Sequence, residues 1–244
     1  MWDEPQRMNA LANVLLVLAT ALAAYVALTV LVRQPLFALR EVRIEGELAH
    51  VTRAEIAAVV RGELRGNFFT LDLTQARAAF GRLPWVRQVA ARRHWPGRLE
   101  VTLEEHRPLA RWSDLALVNT HGEVFEAQYE GALPAFAGPD GSAKEIAIQY
   151  AYFQRVLQAI GRAPVQVSVT ARRSWRVKLD NGLTLALGRD NLESRLGSFV
   201  AVYESTIERM QRRLDYVDLR YPNGFAVRVP ELVRPERKAR GVSG

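Results

Sequence analysis

Histidine, serine and neighbouring carboxylates could carry chemistry in this sequence, but none stands in a catalytic or metal-binding pattern. The four histidines have neither HExxH nor any other metal-ligand spacing. Ser142 and Ser198 each follow a glycine, yet neither lies in GxSxG, and no SxxK set is present. Glu104 and Glu105 are adjacent on a predicted strand, so their side chains point to opposite faces and cannot act as a pair. With no P-loop and no GxGxxG, the sequence predicts no catalytic residue, metal ligand or cofactor, and favours a binding function.

One uncharged stretch, from Ala10 to Val32, is apolar or small except at four positions, Asn13, Thr20, Tyr25 and Thr29. At about 1.5 Å per residue, a helix over this stretch spans the roughly 30 Å hydrocarbon core of a bilayer. A cleaved signal peptide would have a basic start and a shorter apolar core, whereas this chain starts with acidic residues. We therefore expect a retained transmembrane helix over residues 10–32, preceded by a short tail of residues 1–9.

Charge distinguishes poorly between the two possible orientations of that helix and between classes of partner. The few arginines near the two ends of the apolar stretch leave the orientation open.

The whole chain has 33 basic and 26 acidic residues, a net charge of +7. These charges are interspersed, and no basic run alternates with aromatic residues, which argues against a nucleic-acid partner. An acidic partner or an anionic surface fits the charge better. The chain has no cysteine, which excludes disulfides and thiolate metal sites.

Local patterns after the apolar stretch predict a strand, two helices and two strands. Alternation predicts strands at 39–45, 86–93 and 99–105. Thr52 and Glu55 have the spacing of a capping box, and Asp72 opens a second helix that ends before Pro84. This order is typical of a compact α+β unit, and we expect Trp85 and Trp95 to be structural residues that close its core.

The second half of the chain has a pattern of hairpins interrupted by two helices. Ser142 and Glu145 predict a capping box at the start of the first helix, and the second is expected to run from Asp190 to Leu214. Asn181-Gly182 predicts a type I′ hairpin. Two last strands, 217–221 and 225–229, follow with a turn at 222–224, and the charged tail of residues 231–244 is expected to be disordered.

Six stretches in a fixed order form a more specific combination: LPWVRQV at 83–89, RRHWPGRL at 92–99, EHRPLARW at 105–112, TARRSW at 170–175, LGR at 187–189 and YVDLRY at 216–221. Together with the single apolar stretch, they resemble the FtsQ/DivIB family of bacterial cell-division proteins. The resemblance implies an α+β protein with one transmembrane helix, a β-α-α-β-β POTRA domain at 33–110 and a mostly antiparallel β domain with helices at 111–230.

The same resemblance implies a function and a topology. It implies a single-pass inner-membrane protein with its N-terminus in the cytoplasm and the bulk of the chain in the periplasm. Such a protein is not an enzyme but a divisome scaffold, which binds FtsB and FtsL and links early components such as FtsK to the septal peptidoglycan synthases FtsW and FtsI.

The expected partner site is the edge formed by the last two strands. An outer strand has backbone donors and acceptors with which another chain can pair. In the family the FtsB site lies at these strands, which points to Tyr221, with Phe225 and Val227 beside it. Arg189 and Arg220, in the LGR and LRY motifs, are expected to bind acidic residues of the partner. The plainer alternative makes Tyr221 a cross-strand or core residue and the arginines solvated surface residues.

Two other classes of protein fit the sequence less well than a divisome scaffold. A POTRA-bearing secretion or assembly component would need a β-barrel of strands about ten residues long after its POTRA units, whereas this chain has too few predicted strands, two helices instead and one POTRA-like unit. A membrane-tethered cell-wall enzyme would need a nucleophile or a metal site, and the sequence shows neither.

Overall fold

The computed structural model describes residues 5–32, 34, 37–209, 214–221 and 224–229. The expected disordered tail at 231–244, the first four residues of the expected N-terminal tail and part of the turn at 222–224 lie outside the described residues. The chain divides into two compact units, one ending at His106 and the other beginning at Arg107.

The first element is helix α1 (Pro5–Val32), which contains the apolar stretch. Its segment Asn9–Val32 has 24 residues and contains an 18-residue stretch with a mean hydropathy of 2.5 and no buried residue, so among the described residues it is the one helix long and apolar enough to cross a membrane. The hydroxyls of Thr20 and Thr29 donate to the carbonyl oxygens of Leu16 and Val26, both at 2.8 Å. These polar groups are therefore satisfied within the helix, as a hydrocarbon environment requires.

The rest of the first unit has the predicted order of elements: β1 (Glu41–Glu45), α2 (Arg53–Glu63), α3 (Leu73–Phe80), β2 (Val86–His94) and β3 (Arg98–Glu105). The sheet order is β1-β3-β2, with β3 parallel to β1 and antiparallel to β2. The predicted capping box at the start of α2 is confirmed: Glu55 N donates to Thr52 Oγ1 at 3.2 Å, and Thr52 N donates to Glu55 Oε2 at 2.7 Å. The core of the unit is formed by Phe80, Leu99, Val101 and Leu103.

One buried carboxylate, Glu105, holds the loop between β1 and α2. It accepts hydrogen bonds from the backbone N–H groups of Ala49, His50 and Val51 at 3.0, 3.1 and 2.7 Å. Burial alone would raise the pKa of Glu105, but the three backbone donors and the His50 side chain outweigh it and hold the pKa below its usual range. The His50 ring also stacks on Trp85, with a centroid separation of 3.7 Å.

The expectation that Trp95 closes the core of this unit is wrong. Its side chain is 67% exposed. The reason is its place in the tight turn between β2 and β3, where Gly97 N donates to the carbonyl of His94 at 3.3 Å, rather than on a strand of the sheet that the helices cover.

The second unit contains nine strands and two α-helices among its described residues: β4 (Pro108–Arg111), β5 (Ala116–Asn119), β6 (Val124–Glu126), β7 (Ala135–Ala137), α4 (Ala143–Leu157), β8 (Pro164–Val169), β9 (Trp175–Leu179), β10 (Thr184–Gly188), α5 (Leu192–Val202), β11 (Tyr216–Asp218) and β12 (Ala226–Arg228). The strands form one sheet in the order β12-β11-β10-β9-β8-β7-β4-β5-β6. Five of the eight pairings between these described strands are antiparallel, and β10–β11, β4–β7 and β7–β8 are parallel. Helices α4 and α5 cover a core that includes Phe136, Phe153, Leu185 and Phe199.

Two predicted turn and cap structures in this unit are wrong in detail. Ser142 does not cap α4 with its side chain; its hydroxyl donates to the carbonyl of Pro139 at 2.6 Å. The expected capping partner, Glu145, is instead ion-paired with Arg173. The Asn181-Gly182 hairpin forms, but of these two residues only Gly182 has a positive φ, 87°, whereas a type I′ turn needs positive φ at both.

The predicted strands near the C-terminus are shorter than expected, and the predicted helix changes to π geometry after Val202. Helix α5 ends at Val202 and continues as a π-helical segment, Tyr203–Glu208, and the predicted continuation over 210–213 lies outside the described residues. Strands β11 and β12 each have three residues, so Leu219 to Tyr221 lies beyond the end of β11.

Candidate partner-binding edge

Strand β12 forms one end of the large sheet. Within the part of the chain that the structure describes, it pairs on one side only, with β11, in the register Val217↔Val227 and Asp218↔Ala226. All three of its residues are exposed. Such a strand presents backbone donors and acceptors to solvent, and another extended chain can pair with them.

Asp218, at the end of β11, organises the backbone that follows it. Its buried carboxylate accepts from Arg220 Nε at 2.8 Å, from Arg220 Nη2 at 2.5 Å and from the Arg220 backbone N at 3.0 Å. These bonds hold Arg220 against the end of β11, while the backbone N of Leu219 still donates to the carbonyl of Ala186 in β10 at 2.9 Å. The hydrogen bond from the Arg220 side chain is the main reason that the pKa of Asp218 lies below its usual range. The same bond raises the pKa of Arg220, which is a fixed positive charge.

Arg195 of α5 connects the end of β10 to the segment after β11. Its Nη1 donates to the carbonyl of Leu187 at 2.6 Å, and its Nη2 donates to the carbonyl of Arg220 at 3.3 Å. Gly188 lies directly against it with a φ of 78°, and a Cβ there would come within 2.8 Å of Arg195 Nη1 and 3.0 Å of Arg220 Cγ. The glycine of the LGR motif therefore allows the close approach of these two arginines.

A groove of about 450 Å³ lies between α5 and residues that follow β11 and precede β12. Tyr221 and Phe225 form part of its wall, and the α5 side contributes Asn191, Ser194, Arg195, Ser198 and Val202. The Tyr221 side chain is 58% exposed, whereas Phe225 is partly buried against the core. The groove thus combines an exposed aromatic ring with small polar side chains, which suits the side chain of a bound peptide.

Four of the five predicted site residues lie on β12 or between β11 and β12. Tyr221 and Phe225 line the groove, Arg220 precedes Tyr221, and Val227 lies on exposed β12. Arg189 lies at the end of β10, where its exposed side chain is 3.4 Å from Asp190. Since Arg220 is ion-paired with Asp218 in the free protein, its contact with a partner stays a prediction, as do the contacts of the other four residues.

Asp218, Arg195 and the α5 serines are site residues that the sequence reasoning missed. The sequence contains an indication that Asp218 contacts Arg220, because Asp218 stands two residues before Arg220 and alternate residues of a strand share one face. It contains no such indication for Arg195 and the serines, because α5 meets this segment only in the folded chain. In the described ranges no cluster of three His, Asp or Glu side chains could hold a metal ion.

The Asp218 carboxylate makes the stability of the second unit depend on pH. The pKa of Asp218 is lower in the folded protein than in the unfolded chain. Its contribution to the free energy of unfolding is therefore complete above the unfolded pKa of about 3.9 and is lost as the pH falls through the folded pKa. We expect Asp218→Asn to be less stable than the wild type at neutral pH and to lose less further stability below about pH 4. Urea unfolding of a 33–244 fragment from acidic to neutral pH measures this difference, and parallel pH profiles for the two proteins would contradict the role of Asp218.

Comparison with known proteins gives matches along both units. Residues 37–106 match the family model described as POTRA domain, FtsQ-type, and residues 110–220 match the one described as Cell division protein FtsQ/DivIB, C-terminal. The Cell division protein FtsQ of Nitrosospira multiformis is 45% identical over 233 residues, which cover 93% of this chain and 99% of that protein. The protein of the same name from Burkholderia pseudomallei is 42% identical over 235 residues, 93% and 94% of the two chains. That of Neisseria gonorrhoeae is 35% identical over 240 residues, 98% and 99% of the two chains.

Proposed function

Because this chain belongs to the FtsQ/DivIB family of cell-division proteins, we propose that it is a non-enzymatic divisome scaffold whose β12 edge binds FtsB and FtsL. In this proposal α1 anchors the chain in the inner membrane, the N-terminus is cytoplasmic, and a POTRA domain at 33–110 and a β domain at 111–230 are periplasmic. By holding FtsB and FtsL, the protein links FtsK to FtsW and FtsI.

The single observation that carries the proposed site is the exposed edge of β12. A partner segment in extended conformation can add a further strand there, and the backbone hydrogen bonds of that strand supply affinity without demanding a particular side chain. Isolated edges of this kind are also a risk for aggregation, which proteins reduce by making them short. The three residues of β12 fit a strand that is kept short until a partner extends the sheet.

Side-chain selectivity is expected to come from the groove beside the edge. A strand paired with β12 places alternate side chains on the face that carries Tyr221 and Phe225. Tyrosine is enriched among residues that dominate binding energy, because it combines a large apolar ring with a hydroxyl and loses little rotamer entropy. Tyr221 is exposed in the free protein and available for such a contact.

Arginines around the edge favour an acidic partner. Arg189 and Arg220 remain exposed despite their contacts with Asp190 and Asp218, and Arg228 on β12 lies 3.1 Å from Asp215. Exposed charges of this kind chiefly raise the association rate and select the partner, and contribute less to affinity. We therefore assign Arg189 and Arg220 to partner selection and Tyr221 to affinity.

Hydrogen exchange tests whether binding adds a strand. We expect a periplasmic FtsB peptide to slow amide exchange in residues 224–229 by about 10-fold or more, because solvent-facing N–H groups of β12 gain acceptors. The opposite edge strand, β6, is the internal control and is expected to be unchanged. Unaltered exchange at 224–229 in a saturated complex would show that the partner binds elsewhere.

A further inference from the structure

Four aromatic side chains of the first unit form a cluster with an exposed face. Phe37, Phe68, Phe69 and Trp95 are mutual neighbours, with ring-centroid distances of 5.0 Å for Phe37–Phe69, 5.2 Å for Phe68–Phe69 and 5.6 Å for Phe68–Trp95. Phe68 is buried, but Phe69 is 48% exposed and Trp95 is 67% exposed. The cluster thus presents two large aromatic side chains to its surroundings.

This cluster lies next to the end of helix α1. Asn67 Nδ2 donates to the carbonyl of Val32, the last residue of α1, at 2.6 Å. The backbone N–H of Phe68 donates to the carbonyl of Phe37 at 2.8 Å. Phe37 follows Val32 by five residues, and five residues span at most about 18 Å even when fully extended, so Phe37 lies within that distance of the end of α1. The aromatic rings therefore lie within reach of the interface at which α1 leaves a bilayer.

The segments that contribute the rings are basic, although carboxylates lie close by: Glu41 pairs with Arg98, and Glu100 is opposite Arg92 in the register of β2 and β3. The three segments that contribute its rings are 37–40, 65–70 and 92–98, and they contain five arginines, Arg40, Arg65, Arg92, Arg93 and Arg98, with no aspartate or glutamate. Arg98 is ion-paired with Glu41 at 2.9 Å, and Arg93 donates to the carbonyl of Leu71. Arg40, Arg65 and Arg92 are exposed. Basic residues beside exposed aromatic rings are typical of surfaces that bind anionic phospholipids.

We propose that the face formed by Phe69 and Trp95 inserts into the phospholipid headgroup region of the bilayer that α1 crosses, with Arg40, Arg65 and Arg92 bound to lipid phosphates. The inference rests on the single-pass anchor of the proposed function. Tryptophan rings prefer this interfacial region, because it accepts both their apolar surface and their N–H group. Insertion fixes the height and tilt of the POTRA fold above the membrane, which a helix joined by a loose linker would leave free.

Site-directed spin labelling of the full chain in nanodiscs tests this proposal. The chain has no cysteine, so Phe69→Cys and Gln88→Cys each give one labelling site. Gln88 is exposed near the other end of β2, where it pairs with Glu104, and serves as the matched control. In nanodiscs of phosphatidylcholine and phosphatidylglycerol, we expect the label at position 69 to collide several-fold more with lipid-soluble oxygen, relative to a water-soluble nickel chelate, than the label at position 88.

A second variant tests whether the contact of position 69 with the membrane depends on the Trp95 ring. Adding Trp95→Ser to Phe69→Cys removes the most exposed ring, and we expect the oxygen-to-nickel collision ratio at position 69 to fall toward that at position 88. Equal ratios at the two positions without the Trp95 change would overturn the proposal. Spin–spin broadening at position 69 would overturn it in favour of contact with a second copy. Neither result bears on FtsB binding at β12, which the hydrogen-exchange experiment measures separately.

Discussion

Replacing Tyr221 with alanine is expected to weaken binding of a periplasmic FtsB peptide by about 2 kcal/mol or more, roughly a 30-fold loss of affinity. The ring is 58% exposed at the wall of the groove beside β12, so binding can bury it, and its removal takes away apolar contact area at the centre of the proposed site. Calorimetric titration of a purified 33–244 fragment measures the change. The fold is expected to survive, because the exposed ring contributes little to the core.

Two variants make the result for Tyr221 specific. Tyr221→Phe keeps the ring and is expected to lose far less affinity than Tyr221→Ala, since only the hydroxyl is removed. Ile148→Ala removes a similarly exposed apolar side chain on α4 and is expected to bind normally. If Tyr221→Ala bound as tightly as the wild type, or if Ile148→Ala bound as weakly as Tyr221→Ala, the proposed site would be wrong.

Replacing Glu105 with alanine is expected to lower the free energy of unfolding by about 3 kcal/mol. The carboxylate is the common acceptor for the N–H groups of Ala49, His50 and Val51, and hydrogen bonds to a charged group are the stronger kind. Without it, the loop before α2 loses its connection to β3, and the stacking of His50 on Trp85 loses support. Urea unfolding of the 33–244 fragment, followed by tryptophan fluorescence, reports the loss.

The neighbouring residue Glu104 is a matched control. Its side chain is 49% exposed and ion-paired with Arg87 at 2.9 Å, so Glu104→Ala is expected to cost no more than about 1 kcal/mol. The pH dependence gives a further check. The pKa of Glu105 is lower in the folded protein than in the unfolded chain. The contribution of Glu105 to the free energy of unfolding is therefore complete above the unfolded pKa of about 4.3 and is lost as the pH falls through the folded pKa. Equal losses for the two alanine variants at neutral pH would contradict the proposed role of Glu105.

Elements with a strong local pattern were predictable, whereas contacts between distant segments were not. The capping box of Thr52 and Glu55 formed as predicted because its atoms belong to one helical turn. The same pattern at Ser142 did not form a capping box, because Glu145 is ion-paired with Arg173 and the Ser142 hydroxyl donates to the carbonyl of Pro139. A capping motif in sequence states only which bonds are possible, and tertiary neighbours decide which are made.

At the candidate site, too, local patterns were predictable and contacts between distant segments were not. The sequence placed Tyr221, Phe225 and Val227 near the end of the chain in an alternating pattern, and the resemblance connected them with a partner. It did not show that β11 would pair in parallel with β10, that Asp218 would hold Arg220, or that α5 would supply the other wall of the groove. Each of these depends on segments that are separated along the chain and meet only after the sheet has formed.

The sequence by itself determined the apolar helix, the order of elements in the first unit and the family, because length, periodicity and motif order are properties of the chain read in one direction. The tertiary structure alone decided that β12 is the edge of the sheet formed by the described strands, that Trp95 is exposed beside α1 and that Glu105 is buried beneath a loop. The physical reason is that exposure and pairing depend on which surfaces the other segments cover, and a residue's type and neighbours in sequence do not specify that.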